Sequence, residues 1–200
     1  MRISQRAVLI LLAAFAALFA LPGHAEQRVL ILDPAASKVT FTLDATGHDV
    51  EGVLAVQSGR IAFDSETGAA SGEIAIDLKK AATGNNSRDK TMHNEVLETP
   101  KYPLAVFKAE KVRGTVAPSG PSQVTLDGTL AFHGADHKMS LPAKVNVQNG
   151  RVTGTTELTI PFVEWGLHDP SIMVLRVAKT VAVHVKVDGT LEGAGGAAGN

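Results

Sequence analysis

Apolar and polar residues alternate along most of this chain, and this pattern constrains the fold more than any other feature. Between residues 181 and 187, valine occupies every second position, and Ala182, His184 and Lys186 stand between the valines. The same period-two pattern recurs in segments 38–46, 73–79, 124–132, 139–147 and 152–162. Since successive side chains of a strand point to opposite faces, each segment is predicted to be a strand with one buried and one wet face. Such strands are typical of antiparallel sheets.

Turn residues separate the predicted strands. Asn149-Gly150 predicts a two-residue hairpin turn between two alternating runs. Gly134-Ala135-Asp136 predicts a loop between another pair of strands. The connections are therefore short enough for sequential strands to lie side by side.

One helix is predicted in the chain that follows the leader. The polar residues 83–87 supply side chains that cap a helix, and Met92, Val96 and Leu97 then lie on one helical face until Pro100 ends it.

About eight strands of roughly nine to twelve residues can form a closed barrel or a two-sheet sandwich. Strands of that length span about 30 to 40 Å, which is long for a small sandwich and normal for the tilted strands of a barrel. Closure also removes unpaired strand edges. We therefore predict an all-β protein, an antiparallel barrel of about eight strands with one short helix. A sandwich that serves as an adhesion or interaction module, without a cavity, is the alternative.

The inward faces of these strands are apolar, so the barrel is expected to enclose an apolar ligand. The residues predicted to contact that ligand are Phe41, Leu43, Ile74, Ile76, Leu126, Leu130, Phe132, Met139, Leu141, Leu158, Ile160, Phe162, Trp165, Val183 and Val185. Trp165 is expected at one rim of the barrel, with its ring against the ligand. The alternative is a structural tryptophan that packs a loop against the barrel.

The first 25 residues have the pattern of a signal peptide. Arg2 and Arg6 precede an apolar run over residues 7–21, and small residues precede a predicted cleavage after Ala25. A membrane anchor is the alternative, but the run is shorter than the ~20 residues that a spanning helix needs. Loss of both arginines changes the net charge from -1 to -3, which attracts neither nucleic acid nor an anionic membrane. Residues 193–200 are rich in Gly and Ala and are predicted to form a flexible tail.

A series of short motifs, in their order along the chain, resembles the YceI-like family over roughly residues 30–191. The motifs are Ser37-Lys38-Val39-Thr40-Phe41, Gly47-His48-Asp49-Val50-Glu51-Gly52, Ile61-Ala62-Phe63-Asp64, Thr83-Gly84-Asn85, Arg88-Asp89, Lys101-Tyr102-Pro103, Phe107-Lys108, Gly128-Thr129-Leu130, Phe132-His133-Gly134 and Leu141-Pro142. The resemblance implies a lipocalin-like barrel over residues 26–192, located in the periplasm of a Gram-negative cell. It also implies a carrier that binds or sequesters a polyisoprenoid or a related lipid. Segment 92–98 is more polar than the corresponding run of the family.

Histidine is the main candidate for chemistry, because the chain has seven histidines and no cysteine. The alternation places His133 on the wet side of its strand and His137 on the inward side, so no joint metal site is predicted. His184 is expected on the surface. No metal and no cofactor are predicted, and the absence of cysteine excludes disulfides and catalytic thiols.

Several polar residues lie in predicted loops or at the helix, where they are expected near the barrel mouth. They are His48, Arg88, Asp89, His93, His168 and Asp169. They either stabilise turns and the helix start or recognise a ligand head group. A third reading is a hydrolase-like or metal-dependent enzyme that uses a loop histidine as general base. The chain lacks a Gly-x-Ser-x-Gly or His-Glu-x-x-His motif. No catalytic residue is therefore predicted. The sequence does not distinguish a monomer from a homodimer.

Overall fold

The computed structural model describes residues 26–173 and 176–193. The predicted signal peptide, residues 1–25, lies outside the described residues, as do residues 194–200 of the predicted tail. Gly193, the first residue of that predicted tail, is the last residue of the final strand.

Strands make up most of the described chain. Over residues 26–173 and 176–193 they are β1 (Gln27–Leu32), β2 (Lys38–Leu43), β3 (Val50–Asp64), β4 (Ala70–Ala82), β5 (Leu104–Arg113), β6 (Gly120–Phe132), β7 (Ala135–Gln148), β8 (Arg151–Ile160) and β9 (Val181–Gly193). The pairings between them are antiparallel throughout.

These strands close into one barrel. From β3 to β9 each strand pairs with the next in sequence, and β1 and β2 both lie between β9 and β3. β1 pairs with the second half of β3, where Leu30 faces Ile61, whereas β2 pairs with its first half, where Val39 faces Leu54. The two short strands therefore share one of eight positions around the barrel. This confirms the predicted antiparallel barrel, and the sandwich alternative is wrong.

Two strands contain bulges that reverse the side on which a residue lies. In β3 the extra residue is Gln57, because Val56 and Ser58 pair with the adjacent residues Ile76 and Ala75 of β4. In β5 the register against β6 shifts between Ala109 and Lys111. An extra residue in one strand interrupts the period of two, so simple alternation fails in β3 and β5.

The predicted helix is present but has two parts. Helix α1 (Asn86–Thr91) is followed directly by a π-helical turn over Met92–Val96. Oδ1 of Asn85 accepts hydrogen bonds from the backbone N–H groups of Ser87 and Arg88, both at 3.1 Å, which is the expected N-cap.

Both hairpin turns analysed in the sequence are two residues long. Asn149 and Gly150 have φ values of 51° and 77°, which confirms the predicted turn. The other turn is formed by His133 and Gly134, with φ values of 50° and 81°, so the prediction of a loop over residues 134–136 is wrong. Strand β7 begins at Ala135, directly after this turn.

The two ends of the barrel differ. One end carries the connections over residues 44–49, 83–103 and 133–134, and the described parts 161–173 and 176–180 of the connection to β9. These connections include the helix. The other end carries connections over 65–69, 114–119 and 149–150. We call these the helix end and the short-loop end. Across residues 26–173 and 176–193, no helix has the length and apolar character needed to cross a bilayer.

Candidate functional site

The interior of the barrel is a cavity of about 960 Å³, and its wall is mainly apolar. Each of the strands β1 to β9 contributes to the lining. The volume lies at the upper end of the range usual for small-molecule sites, about 300–1,000 Å³. The barrel is therefore not packed solid, and its inner surface is suited to an apolar ligand.

The predicted ligand residues lie in this wall, with one exception. The residues that line the cavity are Phe41, Leu43, Ile74, Ile76, Leu126, Leu130, Phe132, Met139, Leu141, Leu158, Ile160, Phe162, Val183 and Val185. Their contact with a ligand stays a prediction, but their position in the cavity wall is the one that the alternation predicts.

Trp165 is the exception, since it does not line the cavity. It lies at the helix end, where its ring stacks on His137 with centroids 3.6 Å apart and an interplanar angle of 11°. Its ring also meets Phe132 edge-on at 6.3 Å. This is the arrangement expected of a tryptophan that packs the connection from β8 to β9 against the barrel. Contact between Trp165 and a ligand stays a prediction, which the position of Trp165 outside the cavity wall does not support.

Sequence reasoning missed much of the wall that β3 and β5 supply. Leu54, Ile61 and Phe63 of β3 line the cavity, as do Phe107 and Val112 of β5. In each strand the lining residues change from one side of the alternation to the other across a bulge. The available signal was the local pair Ile61 and Phe63, which lies beyond the bulge of β3.

Most of the polar lining residues lie at the helix end. They are His48, Thr83, Asn85, Ser87, Arg88, Thr91, Glu95, His168 and Ser171. The cavity is thus amphipathic, with an apolar barrel interior and a polar region where the helix and the long connections meet. Three of the predicted mouth residues, His48, Arg88 and His168, line it together.

The other predicted mouth residues are engaged in local structure. Oδ1 of Asp89 accepts hydrogen bonds from the backbone N–H (2.8 Å) and hydroxyl (2.5 Å) of Thr83. The hydroxyl bond is the main reason that the pKa of Asp89 lies below its usual value. Nε2 of His93 donates to the carbonyl oxygen of Ala81 at 3.0 Å.

Asp169 also has a structural role. Its carboxylate accepts from Lys179 and from the backbone N–H of Ser171, the latter at 3.0 Å. The Lys179 bond is the main reason that the pKa of Asp169 falls to about 2. Asp169 therefore holds the connection between β8 and β9 in place.

One histidine of the β6–β7 hairpin, His133, does not lie where the alternation predicts. The side chain of His133 is only 10% exposed, so its placement on the wet side is wrong. It packs on Tyr102, with ring centroids 4.3 Å apart. Its Nε2 lies 2.9 Å from Oε2 of Glu98, an ion-pair distance, but the approach does not have hydrogen-bond geometry. The reason is the turn itself, because the positive φ of His133 removes this residue from the alternation of β6.

His184 lies on the surface as predicted, 48% exposed and 3.4 Å from a carboxylate oxygen of Glu157. Within the described part of the chain, no three His, Asp or Glu side chains lie close enough together to hold a metal ion.

Solved structures of three bacterial proteins have a similar fold. BcnA of Burkholderia cenocepacia is 20% identical, with a TM-score of 0.65 over 80% of this chain and 99% of that one. A polyisoprenoid binding domain from Saccharophagus degradans, implicated in plant cell wall breakdown, is 18% identical, with a TM-score of 0.64 over 82% and 98%. The YCEI protein of Campylobacter jejuni is 16% identical, with a TM-score of 0.57 over 72% and 85%. At these identities the likeness shows the fold alone.

The sequence itself is similar to a described family. No curated protein matches the chain. The model of the YceI-like domain, however, matches residues 31–191, which is about four fifths of the chain and includes every strand except residues 27–30 of β1 and 192–193 of β9. This confirms the resemblance of the short motifs, and the chain belongs to the YceI-like family.

Proposed function

We propose that the protein binds a long-chain apolar ligand, a polyisoprenoid or a related lipid, and carries or sequesters it in the periplasm. The observation that carries this proposal is the cavity of about 960 Å³ with an apolar wall drawn from every strand of the barrel. An elongated hydrocarbon chain is the kind of molecule that such a wall accommodates without a precisely placed polar group.

The energetics of burial are sufficient for such a complex. Each buried methylene contributes about 0.8 kcal/mol, so a dozen contribute roughly 10 kcal/mol before the cost of association is subtracted. One methylene more or less changes affinity by only about 1 kcal/mol or slightly more. The barrel wall is therefore expected to select for long apolar chains in general and to discriminate weakly among them.

Two further observations support the proposal. The structurally similar domain from Saccharophagus degradans is a polyisoprenoid binding domain. The export-type pattern of residues 1–25 is consistent with action in the periplasm, where a water-insoluble molecule needs a protein carrier.

We also propose that the protein is a binding protein and not an enzyme. The enzyme reading needs a loop histidine oriented by Asp89 or Asp169. Asp89 instead bonds Thr83, Asp169 bonds Lys179, and His93 bonds the backbone of Ala81. The two carboxylates that would orient a general base are thus used to stabilise the helix end.

Two experiments test the proposal. The first is mass spectrometry of an organic extract from protein purified from its native host, which is expected to contain a co-purified long-chain lipid. The second is calorimetric titration with geraniol, farnesol and geranylgeraniol, whose affinity is expected to rise with chain length.

A matched pair of variants locates the ligand. Ala143 lines the cavity, so Ala143→Phe places a ring inside it. If that ring displaces three methylenes, affinity falls roughly 50-fold. Ala182 does not line the cavity, and Ala182→Phe is expected to bind like the parent. A folded Ala143→Phe variant with unchanged affinity, or affinity that is independent of chain length, would contradict the proposal.

A further inference from the structure

Arg88 places a guanidinium group in the wall of the cavity at its polar end. The residue is half-buried. Its Nε donates to the hydroxyl oxygen of Thr83 at 2.8 Å, and its Nη2 donates to the carbonyl oxygen of the same residue at 3.0 Å. One edge of the guanidinium is therefore fixed against a single neighbour.

Further hydrogen bonds, made by Thr83, hold this guanidinium group in position. The hydroxyl of Thr83, which accepts from Arg88, donates in turn to Asp89, and the backbone N–H of Thr83 donates to the same carboxylate oxygen. Asp89 does not line the cavity. The chain of hydrogen bonds from Arg88 through Thr83 to Asp89 holds the guanidinium without placing a carboxylate in the cavity.

The second edge of the guanidinium has no protein partner among the described residues. Within residues 26–173 and 176–193, no carboxylate lies within 4.0 Å of Arg88 and no acceptor bonds its Nη1. Nη1 is not one of the side-chain polar atoms of the described chain that are buried without a hydrogen-bond partner, so it is accessible. Glu95 also lines this end, but it is exposed, so water screens its charge.

The charge of Asp89 acts on Arg88 only from beyond ion-pair distance, and a fixed planar fork of donors matches a carboxylate or phosphate. We propose that Arg88 binds an anionic head group, carboxylate or phosphate, of a ligand whose apolar chain fills the barrel. His48 and His168 lie in the same polar wall and supply further ring nitrogens near this head group. This inference rests on the proposed function and adds the ligand's charge and its direction in the barrel.

The head group would lie at the helix end, with the chain running toward the short-loop end. The barrel wall supplies affinity that grows with chain length, whereas Arg88 supplies discrimination between charged and neutral ends. A hydrogen bond to a charged group changes affinity by about 10- to 100-fold, which is far more than one methylene does.

The test compares farnesyl phosphate, farnesoate and farnesol by calorimetric titration of the parent, Arg88→Gln, Arg88→Lys and Arg113→Gln. Arg113 is exposed and paired with Asp127 on the outside of the barrel, so its variant controls for the loss of a positive charge. Circular dichroism and a thermal melt check that each variant is folded.

The parent is expected to bind at least one anionic ligand about tenfold or more tightly than farnesol, with a preference that weakens as salt is added. Arg88→Gln is expected to abolish that preference, whereas Arg113→Gln keeps the preference and binds farnesol like the parent. Arg88→Lys, which keeps the charge but loses the fork, is expected to be intermediate.

The relative affinity of farnesyl phosphate and farnesoate identifies the head group. Equal binding of charged and neutral ligands by the parent overturns the inference and leaves the proposed function intact. A preference for charged over neutral ligands that survives in Arg88→Gln also overturns the inference and leaves the proposed function intact. If Arg88→Gln does not fold, the parent's preference and its salt dependence alone decide. Failure of all three ligands to bind the parent overturns the proposed function as well.

Discussion

Replacement of Gly52 by alanine tests the packing of the cavity wall. A Cβ atom at Gly52 would lie 2.2 Å from Cζ and 2.5 Å from Cε1 of Phe41, and 2.9 Å from the carbonyl oxygen of Ala82. The Phe41 ring lines the cavity, so it has space to turn away, but the backbone of Ala82 has not. Overpacking of this kind costs about 1–3 kcal/mol of the free energy of unfolding. For a domain of this size, that loss lowers Tm by about 2–12 °C.

The assay is urea unfolding followed by circular dichroism, with a thermal melt as a second measurement. Gly154→Ala is the matched control, because the one close contact of a Cβ there is with a side-chain atom, Cγ2 of Val187 at 2.9 Å, and the nearest backbone atom is 4.0 Å away. The double variant with Phe41→Leu is expected to lose less stability than the sum of the two single variants. Parent-like stability of Gly52→Ala, or strict additivity in the double variant, would refute this account of the contact.

Two further predictions concern the helix end. The pKa of Asp169 is lowered to about 2 by its bond with Lys179, so the protonated form of this group is favoured by the unfolded chain. The stabilisation is therefore complete above about pH 4 and is lost as the pH falls toward 2, and Asp169→Asn is expected to flatten urea stability in that interval. Second, Nε2 of His137 is buried without a hydrogen-bond partner beneath the ring of Trp165. His137→Phe removes that unpaired atom and keeps a stacked ring, so its stability is expected to equal or exceed the parent's by about 1 kcal/mol, and a lower Tm would count against this.

The regular strands could be predicted from sequence because each residue's side follows from its position. In β9 the alternation from Val181 to Val187 has no interruption, and the lining valines are those that the pattern predicts. In β3 the same rule fails, because the bulge at Gln57 lies between Leu54 and Ile61, and both residues line the cavity. A bulge depends on pairing with the neighbouring strand, which a local pattern does not contain.

The polar end of the cavity was only partly predictable. The motifs placed Arg88 and Asp89 beside the helix, but not the role of Thr83 as the link between them. Likewise, the sequence predicts a helix near Met92, but its π-helical turn brings the N–H of Leu97 to the carbonyl oxygen of Met92 at 2.8 Å. Both features depend on how the chain packs after the strands have paired.

The seam of the barrel joins the two ends of the described chain. Ser37 and Asp188, which lie 151 positions apart, are linked by a hydrogen bond from the backbone N–H of Asp188 to Oγ of Ser37 at 3.1 Å. During synthesis, β1 and β2 are made first and must wait for β9 before either can pair along that side. Until then the apolar inner face and two strand edges stay open, which is the state in which β proteins aggregate. A chain interrupted before residue 181 therefore lacks the closing strand β9, so such a fragment cannot close the barrel around the cavity.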